Sequence, residues 1–394
     1  MNNRQLFYNF LGQTSDAPLA IEIERAEGLY MYGPGGKKYL DLISGISVSN
    51  VGHCHPEVVE AVKKQAETYM HLMVYGEFVQ SPQVQLANLI TENLPHKLNN
   101  VYLVNSGSEA IEGAMKLAKR FTGRSEIVAF KNAYHGSTQG SLSVMGDETM
   151  KNAFRPLLPD IRFLEYNNTE HLNQISQRTA CVIAEAIQGE AGAIAAEKDF
   201  LYQLRKKCDE NGVLLILDEI QAGCGRSGSL WAFEQYDVVP DIITLAKGMG
   251  GGLPIGAFIA SKDIMHSLTH DPVLGHITTF GGNAVCAAAA HANLQIIIRE
   301  KLWENARRQG ELFMELLVHN KIRSIRGKGL LLAAQFESFD ENKLIIDRLI
   351  EKGIVTDWFL FSSNYLRIAP PLIINDEQTR EVCKIIIETL DEIF

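Results

Sequence analysis

Lys247 closes an apolar, β-branched run, Asp241-Ile242-Ile243-Thr244-Leu245-Ala246-Lys247, and glycine-rich backbone follows it as far as Gly256. That suits a strand delivering one amine to an open site and leaving it uncrowded. Such an amine can form a Schiff base with a carbonyl, and burial lowers its pKa so that the free base is available. A solvated lysine after a strand is equally ordinary, so its companions decide. One is Asp218, directly after the apolar run Leu215-Ile216-Leu217. An acid there needs a partner, because a buried unpaired carboxylate is costly. A protonated heterocyclic nitrogen, a metal or a structural hydrogen bond would each serve. The other is Asn105-Ser106-Gly107-Ser108, two hydroxyls around a glycine at a helix start. It offers backbone N–H donors and positive dipole to an anion, or is a plain serine cap. An anion cradle, a carboxylate for a pyridinium and a Schiff-base lysine together describe a pyridoxal phosphate site, though not uniquely.

The elements that must position these groups follow from the apolar pattern. Short continuous runs at Val101–Val104, Glu126–Phe130, Cys181–Ala184, Val213–Leu217, Ile242–Leu245 and Ala257–Ala260 read as strands with both faces covered. Between the first two, Ile111, Ala114, Met115 and Ala118 mark one face of a helix. Alternation of this kind predicts an α/β fold with a mostly parallel sheet between helices, and ligands on such sheets sit beyond the carboxyl ends of the strands. Residues 1–50 read as an extended arm and part of a smaller domain, 51–300 as the large domain, and 301–394 as a C-terminal α+β unit. Helices are expected from Pro56, from Ser81-Pro82, from Ala284 to about Ile298, and from Asp376 to the end.

At 394 residues the chain exceeds the usual size of a single core, which supports one large and one smaller domain. A net charge of −10 argues against nucleic-acid or anionic-membrane surfaces. Six cysteines without CxxC or other zinc spacing point to free thiols rather than to a metal or a disulfide framework. No run of about 18 apolar residues is present, and Met1–Phe10 lacks a basic region followed by an apolar core. The expectation is a cytoplasmic protein acting on small molecules. No GxGxxG opens the first βα unit, which counts against nicotinamide binding.

Six ordered segments go further: Asn105-Ser106-Gly107-Ser108-Glu109-Ala110, Tyr134-His135-Gly136, Ile187-Gln188-Gly189-Glu190, Leu217-Asp218-Glu219-Ile220-Gln221, Thr244-Leu245-Ala246-Lys247-Gly248 and Thr279-Phe280-Gly281-Gly282-Asn283. With Asn50-Val51-Gly52-His53 and Arg367-Ile368-Ala369-Pro370-Pro371, they resemble the class III aminotransferases, especially acetylornithine and ornithine aminotransferases. The resemblance is collinear from about Glu22 to the C-terminus. It implies the pyridoxal-phosphate-dependent transferase fold of type I and a homodimer with active sites at the subunit interface. By motif position, Lys247 is the aldimine lysine and proton shuttle, and Asp218 holds the pyridine nitrogen protonated. Gly107 and Ser108 cradle the phosphate, with Thr279 reaching it from the partner subunit. Tyr134 and Ile220 cover the two ring faces, and Gln221 meets the phenolic oxygen. The implied reaction moves an amino group from an amino acid or ω-amine donor to a 2-oxo acid in two half-reactions.

The resemblance also implies substrate contacts. Arg367 stands where the family binds an α-carboxylate, and Glu190 where its gating partner sits; a structural ion pair is the other reading. The family's acetylornithine, ornithine and 4-aminobutyrate members carry an arginine after the aromatic-His-Gly triplet, clamping the carboxylate distal to the reacting amine. Here Ser137 occupies that place. A serine cannot supply a bidentate charged fork. Ala186 likewise replaces the proline usual after Glu185. Pyruvate as acceptor, or a donor without a distal carboxylate, becomes a serious expectation. An aminomutase, a decarboxylase or a non-catalytic relative on the same fold would share most of these motifs.

Overall fold

The computed structural model describes residues 1–394. The expected arm is not wholly extended. It opens with helix α1 (Asn3–Phe10), where Asn2 and Gln5 cap reciprocally, and no residue of α1 is buried. A reciprocal cap satisfies two donors that the first turn leaves free, which lets so short a helix form. Three short strands follow, β1 (Arg25–Glu27), β2 (Tyr30–Tyr32) and β3 (Lys38–Asp41), paired antiparallel. The Pro34–Gly36 turn stands between β2 and β3, with Gly35 and Gly36 at positive φ.

Helices α2 (Pro56–Thr68) and α3 (Ser81–Glu92) each carry proline in the first turn, where its missing N–H costs nothing. The central sheet then assembles from β4 (Asn100–Val104), β5 (Glu126–Phe130), β6 (Ile161–Leu164), β7 (Thr179–Glu185), β8 (Leu214–Asp218), β9 (Ile242–Leu245) and β10 (Gly256–Ala260). Their order is β4-β10-β9-β8-β7-β5-β6. Pairings from β9 to β6 are parallel, while β10 runs antiparallel to both β9 and β4. β5, β7, β8, β9 and β10 are buried along their full length, as their continuous apolarity requires. β6 has no such run. It is an edge strand with one exposed arginine, Arg162, and its mixed pattern hides it in the sequence.

Helix α4 (Gly107–Thr122) crosses one face of this sheet, and α5 (Lys198–Asn211) follows β7 in sequence. α4 buries Ile111, Ala114, Met115 and Ala118, the predicted stripe, and Ala110 beside it, and ends at Gly123 in the left-handed conformation. Gly113 is required by packing: a Cβ there would lie 2.3 Å from the Phe258 ring. The long helix α6 (Ala284–Arg299) packs on α2 and α3. Beyond it come α7 (Leu302–Leu316), the hairpin β11 (Ser324–Lys328) and β12 (Leu331–Gln335), α8 (Phe339–Glu351), β13 (Ile354–Val355), β14 (Trp358–Phe359), β15 (Ser362–Ile368) and α9 (Asp376–Ile393). β11, β12, β15 and β14 form an antiparallel sheet, while β13 adds in parallel to β3. Residues near the two ends of the chain thus share one small sheet.

Candidate active site

Four strand ends converge on one cavity of about 430 Å³. After β4 comes Ser106, in extended backbone, whose Oγ accepts from the Glu109 amide at 3.2 Å. Glu109 in turn accepts from the Asn105 amide at 2.7 Å and its side-chain Nδ2 at 2.8 Å, which fixes the turn. Gly107 and Ser108 follow as the first residues of α4, and amides there have no acceptor within the helix. Two bare glycines keep this end accessible. A Cβ on Gly136 would meet Ser108 Oγ at 2.3 Å, and Gly136 has φ +124°; a Cβ on Gly107 would lie 3.0 Å from Ile220 Cδ1. The result is a helix N-terminus with room for an anion.

Asp218 ends β8, only 4% exposed. Its Oδ2 lies 2.7 Å from His135 Nδ1, and its Oδ1 accepts from the Ile220 amide at 2.9 Å. Burial opposes charge on His135, but the Asp218 hydrogen bond and the charges of Asp218 and Glu185 outweigh it and raise the imidazole pKa. The other ring nitrogen, Nε2, is buried without a partner. Glu185, in register with Asp218 on β7, accepts from the amides of Gly189 at 2.9 Å and Tyr134 at 3.1 Å. Burial, with the Asp218 charge adding to it, pushes its carboxyl up to about 7.

Lys247 follows β9 at positive φ, 40°, and opens a short 3₁₀ turn. Its residue is partly open to the cavity, yet protein surrounds the amine enough for burial to pull its pKa below the usual lysine value, against the charges of Glu190 and Asp218. The amine has no ion-pair or hydrogen-bond partner, which keeps it free to react. The turn after it is pinned by Asn293, whose Nδ2 donates to Gly248 O at 2.8 Å and Met249 O at 3.0 Å. Gly248 must lack a Cβ, which would meet Asn50 Nδ2 at 2.4 Å.

The structure therefore brings Gly107, Ser108, Tyr134, Asp218, Ile220, Gln221 and Lys247 to one cavity. It does not bring Thr279 there: that residue lies exposed on the segment before α6. Ser137 is also exposed, its amide donating to Ser108 Oγ at 3.3 Å, and it stays outside the lining. Glu190 and Arg367 lie behind the cavity as a buried pair, Nη1 and Nη2 of the arginine donating to the two carboxylate oxygens at 3.1 and 3.0 Å. Gln221 donates to Glu190 Oε1 at 3.2 Å and so ties that pair to the cavity wall.

His135, Glu185, Asn50 and Asp357 belong to the site's support and were not singled out from the sequence. His135 had a signal, since it sits inside the Tyr134-His135-Gly136 motif. Asp357 had none; nothing in a lone Asp after Thr356 announces that it will face Arg367.

These residues fit pyridoxal 5′-phosphate on the structure's own terms. The vacant first-turn amides suit its phosphate, the buried Asp218 its ring nitrogen and the unpartnered Lys247 its carbonyl. Comparison with known proteins agrees. The model of the aminotransferase class-III family matches residues 11–390. An acetylornithine aminotransferase of Methanopyrus kandleri is 38% identical over 91% of each chain. One from Caldanaerobacter subterraneus is 39% identical over 95% of each. The ornithine aminotransferase of Toxoplasma gondii has a similar structure, with a TM-score of 0.91 at 29% identity over 98% of this chain and 93% of that one. A transaminase from the marine bacterium Virgibacillus gives 0.92 at 27%, covering 99% and 98%. Sequence and fold concur that this chain belongs to the class III aminotransferases, transferases that depend on pyridoxal 5′-phosphate.

Proposed function

We propose that pyridoxal 5′-phosphate sits around Lys247, and that the amino donor carries no carboxylate distal to its reacting amine. When bound, the cofactor supplies an electron sink beside the carbon that gives up its proton. The amides of Gly107 and Ser108 at the start of α4 hold the phosphate. Asp218, oriented by His135, holds a proton at the ring nitrogen. Tyr134 and Ile220 flank the ring, and Gln221 faces its phenolic oxygen. Lys247 Nζ, its pKa lowered by burial, takes the proton from the substrate carbon and delivers it to the cofactor's former carbonyl carbon; general acid–base catalysis of this kind is worth about 10²–10⁴-fold. Arg367 receives the α-carboxylate of the 2-oxo acid when Glu190 releases it. Thr279 completes the phosphate site of a second copy in a homodimer.

The observation that carries the chemistry is the free Lys247 amine facing Asp218 and α4 across one cavity. The donor reading rests on charge: Lys247 is the only basic side chain other than His135 in the lining, and no arginine is present. Relatives named acetylornithine aminotransferase therefore do not transfer their donor to this chain directly. The test is a panel of glutamate, N-acetylornithine, β-alanine and simple primary amines against pyruvate and 2-oxoglutarate, each half-reaction read by cofactor absorbance. Amines without a distal carboxylate should lead. Ser137→Arg should then improve kcat/KM for glutamate or N-acetylornithine about tenfold, the worth of one charge-assisted pair. No gain would mean that position 137 does not read substrate. Lys247→Ala should abolish turnover, and normal activity in it would sink the assignment.

A further inference from the structure

Arg367 has two carboxylate partners. Its Nη1 and Nη2 fork faces Glu190, while its Nε donates to Asp357 Oδ1 at 2.7 Å. The same Nη2 also donates to Trp358 O at 3.1 Å, and the guanidinium lies 4.3 Å over the Phe359 ring. The backbones are joined as well, Arg367 N donating to Asp357 O at 2.9 Å and Thr356 Oγ1 to Arg367 O at 2.6 Å. Arg367 is thus fixed from the side and from one face before the end of its fork is used.

Glu190 is held differently. Besides Arg367 it takes Gln221 Nε2 and the Leu360 amide, the latter at 3.1 Å. All of these donors sit on the cavity wall or on the β14–β15 turn. Glu190 belongs to the segment after β7 and not to the strand that carries Arg367, so its side chain can swing out of the fork while its backbone O keeps the Phe361 amide at 3.0 Å. A bidentate site tolerates little rotation, and a displacement of about 1 Å in a positioning group can cost about 10²-fold.

We infer that Asp357 is a positioning residue for substrate: it anchors Arg367 through Nε so that the Nη1/Nη2 fork can exchange Glu190 for a substrate carboxylate without turning. The inference rests on the reading of Arg367 as the α-carboxylate receptor. It adds that the receptor's geometry is set by a residue that touches neither substrate nor cofactor. Burial raises the Asp357 carboxyl to about 6, and the Arg367 guanidinium works against that rise. Glu190 and Asp41 carry like charge toward it, and the Nε contact is the compensation.

The experiment uses holoenzyme of the parent and of Asp357→Asn, Asp357→Ala and Arg367→Ala. Steady-state constants are measured for the best 2-oxo acid and for an amine donor lacking an α-carboxylate. Binding of butanoate, a carboxylate with no amine or carbonyl, is measured by calorimetry. The expected result is about a tenfold rise in KM for the oxo acid and in the butanoate dissociation constant for Asp357→Ala. kcat and the amine's kcat/KM should stay within about twofold. Asp357→Asn, which keeps an acceptor oxygen for Nε, should fall in between. Equal losses on oxo acid and amine, or unchanged butanoate binding in both Asp357 variants, would overturn the positioning role. If Arg367→Ala also leaves oxo-acid KM and butanoate binding unchanged, Arg367 is not the receptor and the underlying reading fails too.

Discussion

At the residue scale, charge and burial are set against each other around Asp218. His135 and Glu185 flank it, and both titrate higher than they would in water. The consequence for stability has a definite sign. Glu185 binds a proton in the folded chain up to about pH 7, whereas an unfolded glutamate loses it near pH 4.3. Between those values the folded state holds more protons, so this contribution to stability declines as pH rises. His135, also raised, contributes stability that is lost as pH climbs through its folded value, and Glu219, raised to about 8 by burial, acts as Glu185 does. The cofactor-free protein should therefore lose stability from pH 5 to pH 8. Glu185→Gln should flatten that slope in denaturant titrations at several pH values. It should also lower stability at pH 5 by about 1–3 kcal/mol, because its amide group replaces one acceptor facing Tyr134 N or Gly189 N. An unchanged slope would show that Glu185 does not titrate in this window.

At the element scale, the start of α4 must meet the 134–137 loop. Ser106 supplies the cap, and Gly136 lets the loop lie against Ser108. These do separable work. Ser106→Ala should cost about 1 kcal/mol of folding stability, the usual worth of such a cap. Gly136→Ala needs a backbone conformation that alanine rarely adopts and a contact no real Cβ makes, so Ser108 must shift. Its expected signature is weaker binding of pyridoxal 5′-phosphate, read as a higher dissociation constant by fluorescence quenching, beyond what its loss of melting temperature explains. Cofactor affinity equal to the parent's would remove Gly136 from the cradle. Most of this level was legible beforehand. The α4 stripe, the buried strands and the proline-led helices all follow from local periodicity and turn chemistry. β6 and α1 did not: one is a short, mixed edge strand, the other too brief to show a period.

At the scale of the whole molecule, an apolar surface remains uncovered. Phe78, Val273, Leu274 and Ile277 line a groove of about 530 Å³, and the Phe280 ring, 56% exposed, lies 4.8 Å from that of His71. Exposed apolar patches of this kind mark interaction surfaces. This one continues into the segment bearing Thr279, which a second copy would need to bring to the neighbouring phosphate site. If two copies pair through this face, as proposed above, Ile277→Asp with Phe280→Asp should leave a single chain in sedimentation velocity and weaken cofactor binding at the same time. A dimer that survives both changes would place the interface elsewhere.

The sequence by itself determined the elements and the reacting groups. Continuous apolar runs specify buried strands, and a lysine, an acid and a glycine-serine turn at their ends specify where chemistry can occur, because those are local properties of residue type and spacing. Only the tertiary structure decided who partners whom. His135 on Asp218, Glu185 beside both, Asn50 against Gly248 and Asp357 on Arg367 join residues 10 to almost 200 positions apart. Those pairs depend on strand order and register, which no stretch of local sequence encodes. The same holds for Lys247: its spacing marks it as a candidate, but the burial that lowers the pKa of its amine comes from the strands packed around it.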